Sequence, residues 1–253
     1  IGVGRHPADH HGAVNVPPYR TSTVIRDKAE EFVHRRGSPF DEVMYGRIGT
    51  PTTFAFEEAM AALENTDRAA AVSSGMAACA GAILAVVKQG DHLLVQDSVY
   101  RPVRRFCGEF LTRMGIETAY FAPGIGADIE GLIRPNTRMI YLEAPGSQTF
   151  EIPDVPAIVE VAKAKDIYTA ADNTWATGYF YRPIDLGVDF AINAATKYIV
   201  GHSDAMLGAI ACRAELFAEM KTVSAMFLGN CAGSEEMYLG LRGLRTLAVR
   251  LRQ

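Results

Sequence analysis

Ala194-Ala195-Thr196-Lys197-Tyr198 ends an apolar run at residues 190–195, and Asp172-Asn173-Thr174-Trp175 follows another at residues 167–171. Each run is short and apolar, as expected of a strand buried on both faces. A charged residue just past the carboxyl end of a buried parallel strand stands where open α/β sheets hold their ligands. Here two such residues carry opposite signs, an amine at Lys197 and a carboxylate at Asp172. Taken singly, each has an ordinary explanation: a solvated lysine, or an aspartate capping the next helix. The rest of the chain decides between the two readings.

Outward from this pair the sequence alternates between two periodicities. Short apolar segments at residues 69–73, 92–96, 116–121, 138–143, 167–171, 190–195 and 208–212 are predicted strands. Between them lie helical patterns. Phe56, Met60 and Leu63 recur at helical spacing after a cap at Thr52 or Thr53. Ser73-Ser74-Gly75-Met76-Ala77 is a turn opening a helix through Val87, and further helices are predicted at residues 103–114 and 155–165 and from Ala214 onward. A short segment at residues 128–133 completes the pattern. Strand, helix, strand, repeated, predicts an α/β fold: a mainly parallel sheet sandwiched by helices. Residues 1–50, punctuated by Pro7, Gly12, Pro17-Pro18, Gly37 and Pro39, read as an extended arm wrapping over something. Residues 51–230 form the large domain of this reading, and residues 231–253 a helical connection leading out of it.

Composition removes several classes of function. The 253 residues carry a formal net charge of −4 and no block of Lys and Arg, which argues against a nucleic-acid surface. Arg101, Arg104 and Arg105 cluster briefly and suit a solvated helix face. No apolar run approaches the length of a membrane span, and the first residues have no signal-peptide pattern, so the expected location is the cytoplasm. Cys79, Cys107, Cys212 and Cys231 are scattered without pairing rhythm, which fits reduced thiols. His6, His10 and His11 lack further ligands at suitable spacing, so no metal is expected. No G-x-G-x-x-G follows the first strand, which removes a dinucleotide-binding reading.

An amine and a carboxylate on neighbouring strand ends suit pyridoxal 5'-phosphate (PLP), which takes a lysine at its aldehyde and an acid at its pyridine nitrogen. Ser74-Gly75-Met76 opens a helix, whose free N–H groups and positive dipole end hold phosphate. Thr196 adds a hydroxyl beside the lysine, and Tyr45 and Arg47 offer an O–H and a guanidinium fork from the arm.

With these residues assembled, the chain resembles the Cys/Met-metabolism family of PLP-dependent enzymes, which have the aspartate-aminotransferase-like fold. The matching stretches are Tyr45-Gly46-Arg47-Ile48-Gly49-Thr50-Pro51-Thr52, Ser73-Ser74-Gly75-Met76-Ala77, Asp172-Asn173-Thr174-Trp175 and Ala195-Thr196-Lys197-Tyr198-Ile199-Val200-Gly201-His202-Ser203-Asp204. Glu143-Ala144-Pro145-Gly146-Ser147, Asp154-Val155-Pro156-Ala157-Ile158 and Arg242-Gly243-Leu244-Arg245-Thr246-Leu247 are most similar to the bacterial cystathionine β-lyase branch. The γ-lyases and γ-synthases, the alternatives within the family, tend to carry Asn-Pro where Gly146-Ser147 stands. Ala194 replaces a frequent serine, removing one candidate phosphate hydroxyl. The resemblance implies catalytic roles for Lys197, bonded to PLP, and for Tyr100, stacked on the ring, with Asp172 on the ring nitrogen. It further implies Gly75, Met76 and Thr196 at the phosphate, with Tyr45 and Arg47 reaching the phosphate of an adjacent subunit. The implied protein is a carbon–sulfur lyase of methionine biosynthesis, a homo-oligomer built as a dimer of dimers, with an amino-acid substrate and cysteine desulfhydrase side activity. Members continue into a smaller carboxy-terminal domain that clamps the substrate carboxylate. This chain stops at Gln253, so that domain is expected in a longer parent protein; a noncatalytic PLP-binding fragment is the other expectation.

Overall fold

The computed structural model describes residues 2–33 and 38–253. All seven segments predicted as strands are strands: β1 (Arg68–Val72), β2 (His92–Gln96), β3 (Glu117–Phe121), β4 (Thr137–Glu143), β5 (Tyr168–Asp172), β6 (Phe190–Asn193) and β7 (Gly208–Cys212). They form one sheet in the order β1-β7-β6-β5-β4-β2-β3. Every pair from β6 across to β3 is parallel, while β7 runs antiparallel to both β6 and β1. The fold is therefore α/β and mainly parallel, as the alternation predicted.

The helices are α1 (Ala29–Val33), α2 (Pro51–Glu64), α3 (Gly75–Leu84), α4 (Arg101–Arg105), α5 (Val155–Ala164), α6 (Thr177–Phe180), α7 (Ala214–Lys221), α8 (Ser234–Leu244) and α9 (Leu247–Leu251). The period-2 alternation of strand side chains sorts the core into layers. Ile210 and Cys212 of β7, with Val72, Tyr141 and Ile192, pack among α3, α4 and α7. Ala209 and Ala211 point the other way, with Ala69, Ala71 and Ala191, against Phe56 and Met60 of α2 and Leu241 of α8. Alanines there let two helices lie close on the sheet; larger side chains would hold them off. Further along this same face, Leu94, Ile140, Leu142 and Ala171 meet Ile158 and Val159 of α5.

The cap of α2 differs from the predicted Thr52 or Thr53. Thr50 is the cap: its hydroxyl accepts from Thr53 N at 3.3 Å while Thr53 Oγ1 accepts from Thr50 N at 3.1 Å, with Pro51 in the first turn. Such a reciprocal cap contributes about 1 kcal/mol. Thr52 ties down the arm instead, donating to Pro17 O at 2.7 Å and accepting from Tyr19 N at 2.9 Å. The predicted helix at residues 103–114 is α4 followed by a π-helical turn, Phe106–Leu111. Residues 128–133 fall in a 3₁₀ stretch, Pro123–Leu132, broken at Gly126. Among the described residues no helix is long and apolar enough to cross a membrane.

Candidate active site

The carboxyl ends of β4, β5 and β6 set the site. Asp172 is the final residue of β5 rather than the first beyond it, and its register partner on β4 is Glu143. Two carboxyls thus stand side by side at the sheet edge. Asp172 is buried; Thr174 N donates to its Oδ1 at 3.0 Å, and the thiol of Cys79, reaching from α3, lies 3.8 Å from Oδ2. Among the described residues no cation faces it. Burial accordingly pushes its carboxyl up, against the pull of the bonds from Thr174 and Cys79. Glu143 is pushed up to about 8 by burial first and by the neighbouring Asp172 charge second, with the Tyr100 N–H pulling it down. Two carboxylates so close cannot both ionise cheaply without positive charge nearby.

β6 ends at Asn193, two residues before the predicted end, because Ala194 N leaves the ladder to donate to Thr174 Oγ1 at 2.8 Å. The chain turns there and presents Lys197 on an exposed turn. Lys197 lines a cleft of ≈ 970 Å³ together with Glu143, Thr174, Trp175, Thr196 and Ser147. Asp172 lies behind this wall, joined to it through Thr174 and through its register partner Glu143. Arg250 of α9 fixes the outer side of the turn, donating to Tyr198 O at 2.7 Å.

The amino terminus of α3 packs onto the same turn. Ser74 caps it, accepting from Ala77 N at 3.1 Å, and the first-turn N–H groups at Gly75 and Met76 have no acceptor within the helix. Gly75 has to be glycine: a Cβ there would sit 2.4 Å from the Cβ of Ala194. At the start of β7, a Cβ on Gly208 would meet Ser74 O at 2.1 Å, so the turn at Ser74 and the lysine turn interlock through two bare backbones.

The other predicted site residues are distributed. Thr196 Oγ1 donates to Leu207 O at 3.1 Å and accepts from Leu207 N at 2.8 Å, which pins the lysine turn to the segment entering β7. Tyr100 caps α4, is half exposed, and its N–H donates to Glu143 Oε2 at 2.6 Å, so it joins the site through that carboxylate. Met76 opens on a neighbouring groove with Arg101 and Phe106. Tyr45 and Arg47 are not brought to the Lys197 cleft. They line a separate hollow with Tyr19, Thr50 and Ser234, and Arg47 donates to Ala225 O at 2.6 Å. The sequence reading gave Glu143 no role; the signal was available, an acid ending a buried strand as Asp172 does. His6 and His10 have partners of another kind, Glu58 and the Tyr19 hydroxyl, and no metal-type cluster occurs among the described residues.

The sequence pattern of the Cys/Met metabolism PLP-dependent enzymes matches residues 1–253. The chain belongs to this family. A relative from Rhizobium johnstonii is 45% identical over 98% of this chain and 62% of its own length. The cystathionine beta-lyase MetC of Escherichia coli K12 is 41% identical over 100% of this chain and 65% of its own. The crystal structure of metB from Corynebacterium glutamicum superposes with a TM-score of 0.90 at 30% identity, covering 98% of this chain and 62% of that one. The chain thus spans less than two thirds of the length of these relatives.

The family is PLP-dependent, and the residues present fit that cofactor. A buried carboxylate held by Thr174 and a weak thiol donor, with no ion pair among the described residues, matches a ligand that brings its own protonated ring nitrogen. An amine on an exposed turn and unpaired helix N–H groups packed against that turn match an aldehyde and a phosphate.

Proposed function

We propose that the protein cleaves the Cβ–S bond of L-cystathionine and, with uptake of one water that hydrolyses the three-carbon fragment, gives homocysteine, pyruvate and ammonia, a carbon–sulfur lyase step of methionine biosynthesis. One observation carries the reading. In a chain of a PLP-dependent family, the exposed amine of Lys197 and the buried, cation-free carboxylate of Asp172 follow from the ends of adjacent parallel strands. The choice of substrate is supported by the E. coli relative, named a cystathionine beta-lyase, at 41% identity.

In this reading Lys197 would hold the cofactor aldehyde, Asp172 the ring nitrogen and Tyr100 the ring. Gly75 and Met76 N–H groups hold the phosphate with Thr196 alongside. When bound, the cofactor supplies an electron sink for the charge left at the substrate carbon. The Lys197 amine, standing beside the substrate, would take the proton from Cα and return one to the departing sulfur. Asp172 stays ionised throughout, because the sink weakens if the ring nitrogen loses its proton. Trp175 and Phe150, edge to face at 6.0 Å, supply an apolar wall beside the amine. Tyr45 and Arg47 serve the site of an adjacent subunit, which makes the working unit a homo-oligomer, a dimer of dimers with shared sites. Four unpaired cysteines suit the cytoplasm.

The test is product analysis of the intact, PLP-loaded protein with cystathionine. Pyruvate with homocysteine is expected, whereas 2-oxobutyrate with cysteine would move the protein to the γ-lyases. Cofactor uptake with no turnover would leave a PLP-binding fragment. Lys197→Ala should lose both the visible band and about a thousandfold or more of turnover. Borohydride labelling of any other lysine would overturn the assignment of the amine.

A further inference from the structure

Glu64, the last residue of α2, is fully buried and takes no part in the mechanism above. Its carboxylate gathers two amides. Asn173 Nδ2 donates at 3.0 Å to each oxygen, and Asn193 Nδ2 donates at 2.8 Å to Oε1. Asn173 directly follows Asp172, and Asn193 ends β6, four residues ahead of Lys197. The Asn173 backbone N–H also donates to Ile192 O at 2.7 Å, which continues the β5–β6 pairing past Asp172. One carboxylate in the helix layer therefore reaches the ends of the two parallel strands that bring in the acid and the amine.

We propose that Glu64 is a positioning residue for the cofactor: it fixes the spacing of Asp172 and Lys197 through Asn173 and Asn193 without touching cofactor or substrate. The orientation of the two amides supports this. Asn173 Oδ1 and Asn193 Oδ1 are buried and have no partner among the described residues; the carboxylate turns the Asn193 Nδ2 inward and, together with Tyr181 O, that of Asn173. A glutamine here would keep the one oxygen that both amides reach but turn an NH2 toward Asn173 where the second oxygen stands, and an isosteric hydrocarbon would fill the space yet leave the amides undirected. Packing alone gives no reason to bury an acid here, because apolar replacements of buried charge are often neutral for stability. The same Asn173 Nδ2 also donates to Tyr181 O at 2.8 Å, so the amide is held at two points and a shift at Glu64 passes to the strand end rather than dissipating in a loose side chain.

This inference rests on the cofactor reading of Lys197 and Asp172, and the experiment separates the two. The intact protein and its Glu64→Gln, Glu64→Asp and Glu64→Leu variants are titrated with PLP. The lysine-linked visible band is followed, together with the thermal midpoint of the cofactor-free protein. Glu64→Leu should raise the PLP dissociation constant about tenfold, equivalent to ~1.4 kcal/mol, and weaken the band, and Glu64→Gln, which keeps one acceptor oxygen, should do so by less. Glu64→Asp, which keeps two acceptor oxygens, should recover part of the loss. The paired change Glu57→Met/Lys221→Met, at a buried ion pair remote from these strand ends, should leave the dissociation constant unchanged whatever it does to the thermal midpoint. PLP binding as tight as wild type in Glu64→Leu would overturn the proposal. If the Glu64 variants do not fold, Asn173→Ala and Asn193→Ala each cut one arm; both must weaken PLP binding, and an unchanged constant in both would overturn it equally. A wild-type protein without a band that depends on Lys197 would sink the cofactor reading, and this inference with it. A normal wild-type band with indifferent Glu64 variants removes this inference alone.

Discussion

Two buried acids in this molecule are solved in opposite ways. Glu57, on α2 beside the edge strand β1, is met by Lys221 Nζ at 2.7 and 2.6 Å and by the Ala71 N–H at 2.9 Å. The Lys221 ammonium is itself enclosed, with the Phe217, Phe54 and Phe40 rings 5.4, 5.8 and 5.9 Å away. That arrangement is closed: the charges cancel, and the free N–H of an edge strand is covered. Asp172 has an amide N–H, a thiol and, as its register partner, a second acid. A buried carboxylate with no cation is expensive unless it neutralises or meets positive charge from a ligand. The difference separates an acid matched within the fold from one that, in the proposed reading, waits for a ligand, although both sit on or against the same sheet.

The most severe way to break this comparison is Lys221→Met, which strands Glu57 in the core. It should destabilise the protein by about 3–5 kcal/mol, read as a fall in thermal midpoint on the order of 10 °C for a chain of this size. Adding Glu57→Met should restore most of that. Next comes Asp172→Asn, where the same kind of change should act in the other direction. Removing charge from the Asp172–Glu143 pair should leave the cofactor-free protein at least as stable as wild type. Turnover of the PLP-loaded enzyme should fall on the order of a hundredfold, the scale of losing one preorganised charge from a reacting site. If Asp172→Asn melts as early as Lys221→Met, the two acids are alike and the distinction fails.

Much of this was legible in the sequence for reasons of locality. Each strand is a contiguous apolar run, and the residues that mark the site, Asp172 and Lys197, follow such runs directly. Ser74-Gly75-Met76 could be read because a helix opening is a local event. What escaped has the opposite character. The antiparallel course of β7 depends on which strand it joins, not on its own Gly-Ala-Ile-Ala-Cys pattern. The cap of α2 fell on Thr50 because Thr52 was taken by the arm at Pro17 and Tyr19, a contact 33 to 35 residues away in the chain. Glu64 reaches Asn173 and Asn193 across 109 and 129 residues, and an acid at a helix end advertises nothing of that kind. Glu143 was visible as a strand-end acid, but its importance lies in having Asp172 as its lateral neighbour, which only strand order reveals.

The smallest effect is the pH dependence of the cofactor-free protein, and its sign follows from the same contrast. Glu143 is held up at about 8 and Glu64 at about 7, each mainly by burial, against an ordinary glutamate value of 4.5. In both, the folded state binds a proton more tightly than the unfolded chain, so between these values folding is coupled to proton uptake. Their contribution to stability is complete below about pH 4.5 and declines as pH rises through 7 for Glu64 and through 8 for Glu143. The thermal midpoint of the cofactor-free protein should therefore drop between pH 5 and pH 8. Glu143→Gln should flatten the upper part of the decline and leave the Glu64 part in place. Bound PLP should also flatten the upper part, because a protonated ring nitrogen at Asp172 favours ionised acids on this edge of the sheet. A midpoint that rises over the same window, or a decline unaffected by Glu143→Gln, would mean that the two strand-end acids find positive charge within the protein strong enough to outweigh their burial.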